Sequence, residues 1–404
     1  MPSVGRKREG SVVTETPPLA RRMPGFDARH ATRRARSTRV VVTVVVVLAV
    51  VAGAAVYFGR HLLHHSAAPP ARPAPPAVTV PRAVATLATW RLGAPITGAV
   101  VVGGAPGSGQ LVILGGMTTG GLTASGAFSL DVTDGDLTQV GDLMTTLDGA
   151  SGAVIGGQDV VFGGTSSSSA PPSAAVQALP APAATGSSSS ATAPPTATLL
   201  GTLPRPLVGA TAVTVGTTTY LVGGDTTDGP APGILATSDG RHFTTVATLP
   251  VPVQYPAVAV VGTTLYVFGG TAATGADSGS PVATIQVVDL TTHRVTDAGH
   301  LPEPLTASAA VVLGGDVLLA GGDTAPAGGS SAATTSVSTV WFFNPTGETA
   351  TVVGQLPVAE SHAGVAVLGS TAWLVGGQSD GTPVATVQSL VTAAPVTASP
   401  PTSS

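Results

Sequence analysis

Six apolar runs in this chain end in a pair of glycines: LVILGG at 111–116, DVVFGG at 159–164, YLVGG at 220–224, LYVFGG at 265–270, LLAGG at 318–322 and WLVGG at 373–377. A second marker precedes five of them at constant distance. Met144, Pro204, Pro250, Pro302 and Pro357 each close a DLM or LP step, and each lies 19 residues before the first Gly of the next pair. A third marker is a turn opening at Asp131, Thr237, Asp289 or Asn344, always 13 residues before Met144, Pro250, Pro302 or Pro357. Offsets that recur across copies define a structural repeat, and periods of about 50 residues belong to solenoids, propellers or arrays.

The repeat reads as four strands. A first strand such as AVAVV (257–261) turns through GT, GG or GS into a second strand that ends in the Gly pair. A third strand (GAFSL, TIQVV, TVWFF) enters the marked turn, and a fourth runs into LP. At such a turn Asp or Asn bonds its own backbone and Gly supplies positive φ. The apolar runs are nearly continuous rather than alternating, which predicts sheets covered on both faces. GTTLYVFGG at 262–270 resembles a kelch repeat, the unit of a β-propeller family. The resemblance covers 83–394 and implies an all-β, six-bladed kelch-like β-propeller. Where the family carries Trp, seven residues before the closing marker, this chain holds Leu137, Phe243, Val295 and Ala350. The last copy stops after ATVQSLV (385–391), so VATLATWRLG (84–93) is expected to supply its fourth strand and close the ring. The second unit lacks the turn, and its Ser/Pro-rich insert, 165–195, is expected to be a disordered surface loop.

Ahead of the repeats, residues 40–58 are nineteen consecutive uncharged residues, VVVTVVVVLAVVAGAAVYF. As a helix they reach roughly 28 Å, a bilayer's hydrocarbon thickness, so a single transmembrane helix is expected. Residues 1–39 hold ten basic and three acidic residues. The positive-inside rule makes them a cytoplasmic tail, expected to be disordered, and puts the repeats outside. Residues 59–82 form a Pro/Ala-rich stalk, and 395–404 a disordered tail. A cleavable signal peptide is the competing reading, but its small-residue site, Ala52-Gly53-Ala54, lies inside the apolar run. The expected location is therefore the cell membrane, single-pass, with the propeller extracytoplasmic. The Arg-over-Lys, Ala/Val/Thr/Gly-rich usage suggests a GC-rich bacterium.

Charge and composition exclude several chemistries. From residue 93 onward three Arg face eighteen Asp and Glu, so nucleic acid is not an expected partner. The absence of cysteine removes thiolate nucleophiles, Cys-ligated zinc and iron–sulfur clusters. It also removes the Cys-linked tyrosine on which copper oxidases among kelch-like propellers rely. His61, His64 and His65 read as a polar collar at the membrane surface, and His242, His293 and His300 show no metal spacing. No metal and no cofactor is expected, and no catalytic residue is assigned.

Variation points to one face. From the second Gly to the turn the distance is 15, 13, 19 and 22 residues in four copies, whereas the marker-to-Gly distance is constant. Loops between second and third strands share a face with the linkers between blades, and repeat proteins often bind through the face whose loops vary. The residues four past each marker, Asp148, Val208, Gln254, Thr306 and Ser361, with Thr97 by analogy, are expected to ring the channel mouth there. Tyr255, Glu360 and His362 lie beside them. Asp148, Gln254, Tyr255, Thr306, Glu360 and His362 are the candidate ligand-binding residues. Asp225, Asp323 and Gln378, each just after a Gly pair, are expected to face outward, with the membrane beneath the opposite face. The expected function is a binding module for protein or glycan in the cell envelope. The alternative is a propeller hydrolase or lyase with its site at the channel mouth. N-terminal sequencing of the mature protein checks the anchor: residues before 40 should be retained, and a start near residue 55 would contradict it.

Overall fold

Six four-stranded antiparallel sheets follow one another along the chain. The computed structural model describes residues 48–52, 80–104, 107–167, 169–180, 193–273, 278–325 and 334–394. Two units divide the chain, Met1–Ala77 and Val78–Ser404. In the first, 48–52 are helical; the remainder of the expected span 40–58, with 1–39, 59–79 and 395–404, lies outside the described residues. No helix among the described residues is long and apolar enough to cross a membrane.

The second unit is an all-β six-bladed propeller. Blade 1 comprises Val100–Gly103, Gln110–Leu114, Gly126–Asp131 and Leu137–Asp142. Blade 2 comprises Ser151–Ile155, Gln158–Phe162, Ala175–Leu179 and Thr198–Thr202. Blade 3 comprises Thr211–Val215, Thr218–Val222, Gly233–Thr237 and Thr244–Thr248, and blade 4 Ala257–Val261, Thr264–Phe268, Thr284–Asp289 and Arg294–His300. Blade 5 comprises Ala309–Leu313, Asp316–Ala320, Thr339–Asn344 and Thr349–Gln355. Blade 6 takes Gly364–Leu368, Thr371–Val375 and Val387–Ala393 from the C-terminal end and Arg82–Leu87 from the N-terminal side. The closing strand is thus in the expected blade but begins earlier and is shorter than 84–93. Its register runs from Arg82 opposite Ala393 to Leu87 opposite Gln388. Beyond it, single hydrogen bonds from Ala88, Leu92 and Ile96 to Val387, Ala385 and Val384 continue the contact.

The insert 165–195 requires a correction. Within it, Ala175–Leu179 is the third strand of blade 2, paired to both neighbours. Burial explains this: Val176, Gln177, Ala178 and Leu179 are each at most 1% exposed, so this segment fills the core that a loop would leave empty. Residues 181–192 lie outside the described residues. The marked turns follow expectation in their Asx bonds, Thr133 N–H to Asp131, Thr291 N–H to Asp289 and Thr346 N–H to Asn344. Positive φ there is not always a glycine's, since His293 and Glu348 adopt it in blades 4 and 5.

The second strands are buried on both faces, as at Leu111 to Leu114, because each blade packs between two others. The Gly pairs act at the seams. At all six pairs both glycines have positive φ, 55 to 72° at the first and 84 to 107° at the second. A Cβ on the first would stand within 3.0 Å of a linker carbonyl: Leu147, Leu207, Val253, Leu305, Glu360 and Ile96 in turn around the ring. The second glycine's N–H donates to that same carbonyl at 2.7 to 2.8 Å. Each seam therefore needs a residue with no side chain, then a backbone donor turned outward. Gly377 donating to Ile96 makes the sixth seam and closes the ring.

Gly269→Ala should cost about 3 kcal/mol or more, since it combines positive φ with collision against the Leu305 carbonyl. Gly262→Ala, also at positive φ but with open space around it, should cost about 1 kcal/mol. Chemical denaturation of the two variants checks the difference.

Candidate functional site

The first strand of each blade is innermost, with one edge unpaired. Together they line a central cavity of about 880 Å³ walled by Val, Ala, Gly, Ser and Thr. On one face, the linkers and the loops between second and third strands converge. There each residue four past a marker bridges to the residue just after its own blade's Gly pair. The pairs are Thr97 with Met117, Asp148 with Thr165, Val208 with Asp225, Gln254 with Thr271, Thr306 with Asp323 and Ser361 with Gln378. The two sets of residues flagged in the sequence thus meet as one ladder per blade.

The residues that line the cavity are one position further along. Gly98, Gly149, Gly209, Tyr255, Ala307 and His362 all have φ between 50 and 68° and form an inner ring. Gly98 donates to the His362 carbonyl, Gly209 to Gly149, Tyr255 to Gly209, Ala307 to Tyr255 and His362 to Ala307, at 2.7 to 3.1 Å. Between Gly149 and Gly98 that link is not made. There the Asp148 carboxylate lies where a Cβ on Gly98 would stand. Burial pushes the Asp148 carboxyl up to about 6, with the neighbouring Gly149 amide opposing.

Three glycines and two rings share the mouth. The Tyr255 ring lies over Gly209, its hydroxyl over Gly149, so a Cβ at either would crowd it. Across the mouth Tyr255 meets His362 edge to face, with centroids 4.6 Å apart. Burial pushes the Tyr255 phenol up to about 12, helped by the negative charges of Asp148 and Asp225. Burial pulls His362 below its ordinary value, against the pull of Asp323, so its imidazole is held neutral.

The predicted residues therefore separate. Tyr255 and His362 reach the cavity; Asp148, Gln254 and Thr306 do not line it, because an extended bridging residue precedes each left-handed one. Thr306 is buried and its hydroxyl shares a hydrogen bond with Thr271 at 3.0 Å. Glu360 is removed from the mouth altogether, only 1% exposed in the seam between blades 5 and 6. Asp323 does not face outward: it is 3% exposed and accepts from the Ser336 hydroxyl at 2.7 Å. Asp225 and Gln378 are half-buried.

Residues not anticipated in the sequence also organise this face. Gln177, Gln286 and Gln388, buried on the third strands of alternate blades, accept from the N–H of Met144, Val251 and Val358 near the preceding markers. Their shared context, VQAL, IQVV and VQSL, was a readable signal. Among the described residues no group of three His, Asp or Glu could hold a metal ion.

No protein-family model matches the sequence. No curated protein matches it. Among the solved structures it resembles is that of YjhT, 14% identical, with a TM-score of 0.59 over 74% of this chain and 96% of YjhT. At that identity the likeness is one of fold.

Tyr255→Phe should leave stability within about 0.5 kcal/mol of wild type, while Tyr255→Ala should cost about 2 kcal/mol by removing the ring from His362 and the glycines. Urea denaturation of both variants checks this.

Proposed function

We propose that this chain is a single-pass bacterial membrane protein whose kelch-like propeller is a binding module for protein or glycan in the cell envelope. The apolar run 40–58, with basic residues concentrated on its N-terminal side, supports the anchor and the extracytoplasmic location. The observation that carries the binding reading is the composition of the loop face. Its ladders and inner ring are tied down by backbone hydrogen bonds, while the loops beyond them offer exposed Ser, Thr, Gly and Asp. Arg82 and Ala393, at the ends of the two strands that close blade 6, pair at the opposite face. Rigid support beneath variable polar loops suits recognition of a polar partner.

A hydrolase or lyase at the mouth is the second reading. What favours it is the approach of Asp148, Tyr255 and His362, with Asp148 raised to about 6.

Full-length protein in mild detergent, mixed with purified cell-wall glycan, tests both readings. Wild type should co-sediment with the glycan, Thr227→Arg on the loop face should weaken this at least tenfold, and Thr291→Arg on the opposite face should not. Equal binding by both variants would contradict the assigned face, and no binding would leave protein as the partner class. Glycan fragments released by wild type would favour the enzyme.

A further inference from the structure

The linker residue three past each marker plugs the seam between two blades. In five seams it is apolar: Ile96, Leu147, Leu207, Val253 and Leu305, of which the last four are at most 5% exposed. At the seam between blades 5 and 6 the same position is Glu360, whose backbone carbonyl makes the same bond to Gly322 as its counterparts make. Its side chain is as buried as theirs, 1% exposed. One oxygen, Oε2, accepts from the Thr386 hydroxyl at 3.0 Å, and Oε1 has no partner.

An ionised carboxylate there would leave a buried charge half-satisfied, which costs far more than a protonated carboxyl in the same place. The groups around it do not offset that charge. Blade 6 presents Thr386 and Gln388, both neutral; blade 5 presents Asp323 beyond Gly322; the linker itself carries His362 two residues on. Among the described residues neither Arg82 nor Arg91, the cations of the closing segment, makes an ion pair with it.

We propose that Glu360 makes the seam between blades 5 and 6 a proton-operated latch, closed when its carboxyl is protonated and loosened when it ionises. The seam adjoins blade 6, the one built from both ends of the propeller, so loosening it acts where the ring is joined. His362 follows on the same linker, so the inner ring at the mouth moves with it. The latch does not depend on what the loop face binds.

Burial raises the Glu360 carboxyl to about 7 from an ordinary 4.5, with the neighbouring polar side chains of Gln388 and Thr386 opposing. The folded state therefore keeps its proton while the unfolded chain loses one. Stability falls as pH rises from about 4.5 to about 7 and is level above. Asp148 and Asp159, both raised to about 6, act in the same direction, whereas His362, held neutral, acts in the opposite one. Substitution at 360 isolates its share.

The test uses full-length protein in mild detergent, unfolded by urea at pH 5 and pH 8, as wild type, Glu360→Gln, Glu360→Leu and Asp159→Asn. Between the two pH values, Glu360→Gln and Glu360→Leu should each lose on the order of a hundredfold of the wild-type change in unfolding constant. Hydrogen exchange over 357–364 and 387–393, corrected for intrinsic rate, should speed up with pH in wild type and Asp159→Asn but not in the Glu360 variants. Exchange at that seam that is insensitive to pH in wild type, or a Glu360→Gln profile parallel to wild type, would overturn the latch.

Discussion

The hydrogen bond from the second glycine of a blade to the carbonyl of the next blade's linker is the contact on which the rest of this propeller depends. It occurs at all six seams at 2.7 to 2.8 Å. The first glycine makes it possible by leaving the carbonyl room, and the paired positive φ values aim the N–H outward. A blade alone would expose two apolar faces. The linker carbonyl fixes how far the next blade stands, and its side chain fills the gap left at the seam. Burial of the second and third strands then follows, since each sheet is covered on both sides.

The same linker builds the mouth. One residue past the carbonyl bridges to the residue after the Gly pair of the blade that the linker leads into, and the next turns left-handed into the inner ring. Left-handed conformation is easy for Gly98, Gly149 and Gly209 but strained for Tyr255, Ala307 and His362. The ring is thus unequal: three positions without side chains make room, and two rings occupy it. The cavity beneath is lined by the innermost strands, each of which leaves one edge unpaired, and by small side chains with the hydroxyls of Ser151, Thr211, Thr214 and Ser308 among them.

Much of this was legible in the sequence because it is written in spacing. The 19-residue interval from marker to Gly pair is the length of one linker, one first strand, its turn and a second strand, so it counted the blades correctly. The mouth was misplaced by one residue. Composition does not reveal which of two neighbouring linker residues turns left-handed, least of all where Tyr255 and His362 stand in for glycine. The third strand of blade 2 was hidden because AVQAL carries little strand propensity and its turn marker is missing; pairing with Gln158–Phe162 holds it in place. In sequence Glu360 is a ligand-binding candidate at the mouth beside His362, and only alignment with Leu147, Leu207, Val253 and Leu305 places it at a core position.

The account makes one seam bond, repeated six times, the feature that shapes the propeller. Hydrogen exchange at the second glycine of every pair, Gly116, Gly164, Gly224, Gly270, Gly322 and Gly377, measures that bond directly. Below pH 5, all six amides should exchange only through global unfolding, with Gly377 at the closing seam protected as strongly as the others. Rapid exchange at these glycines while the central strands stay protected would contradict the account, for the blades would then be held together without the bond.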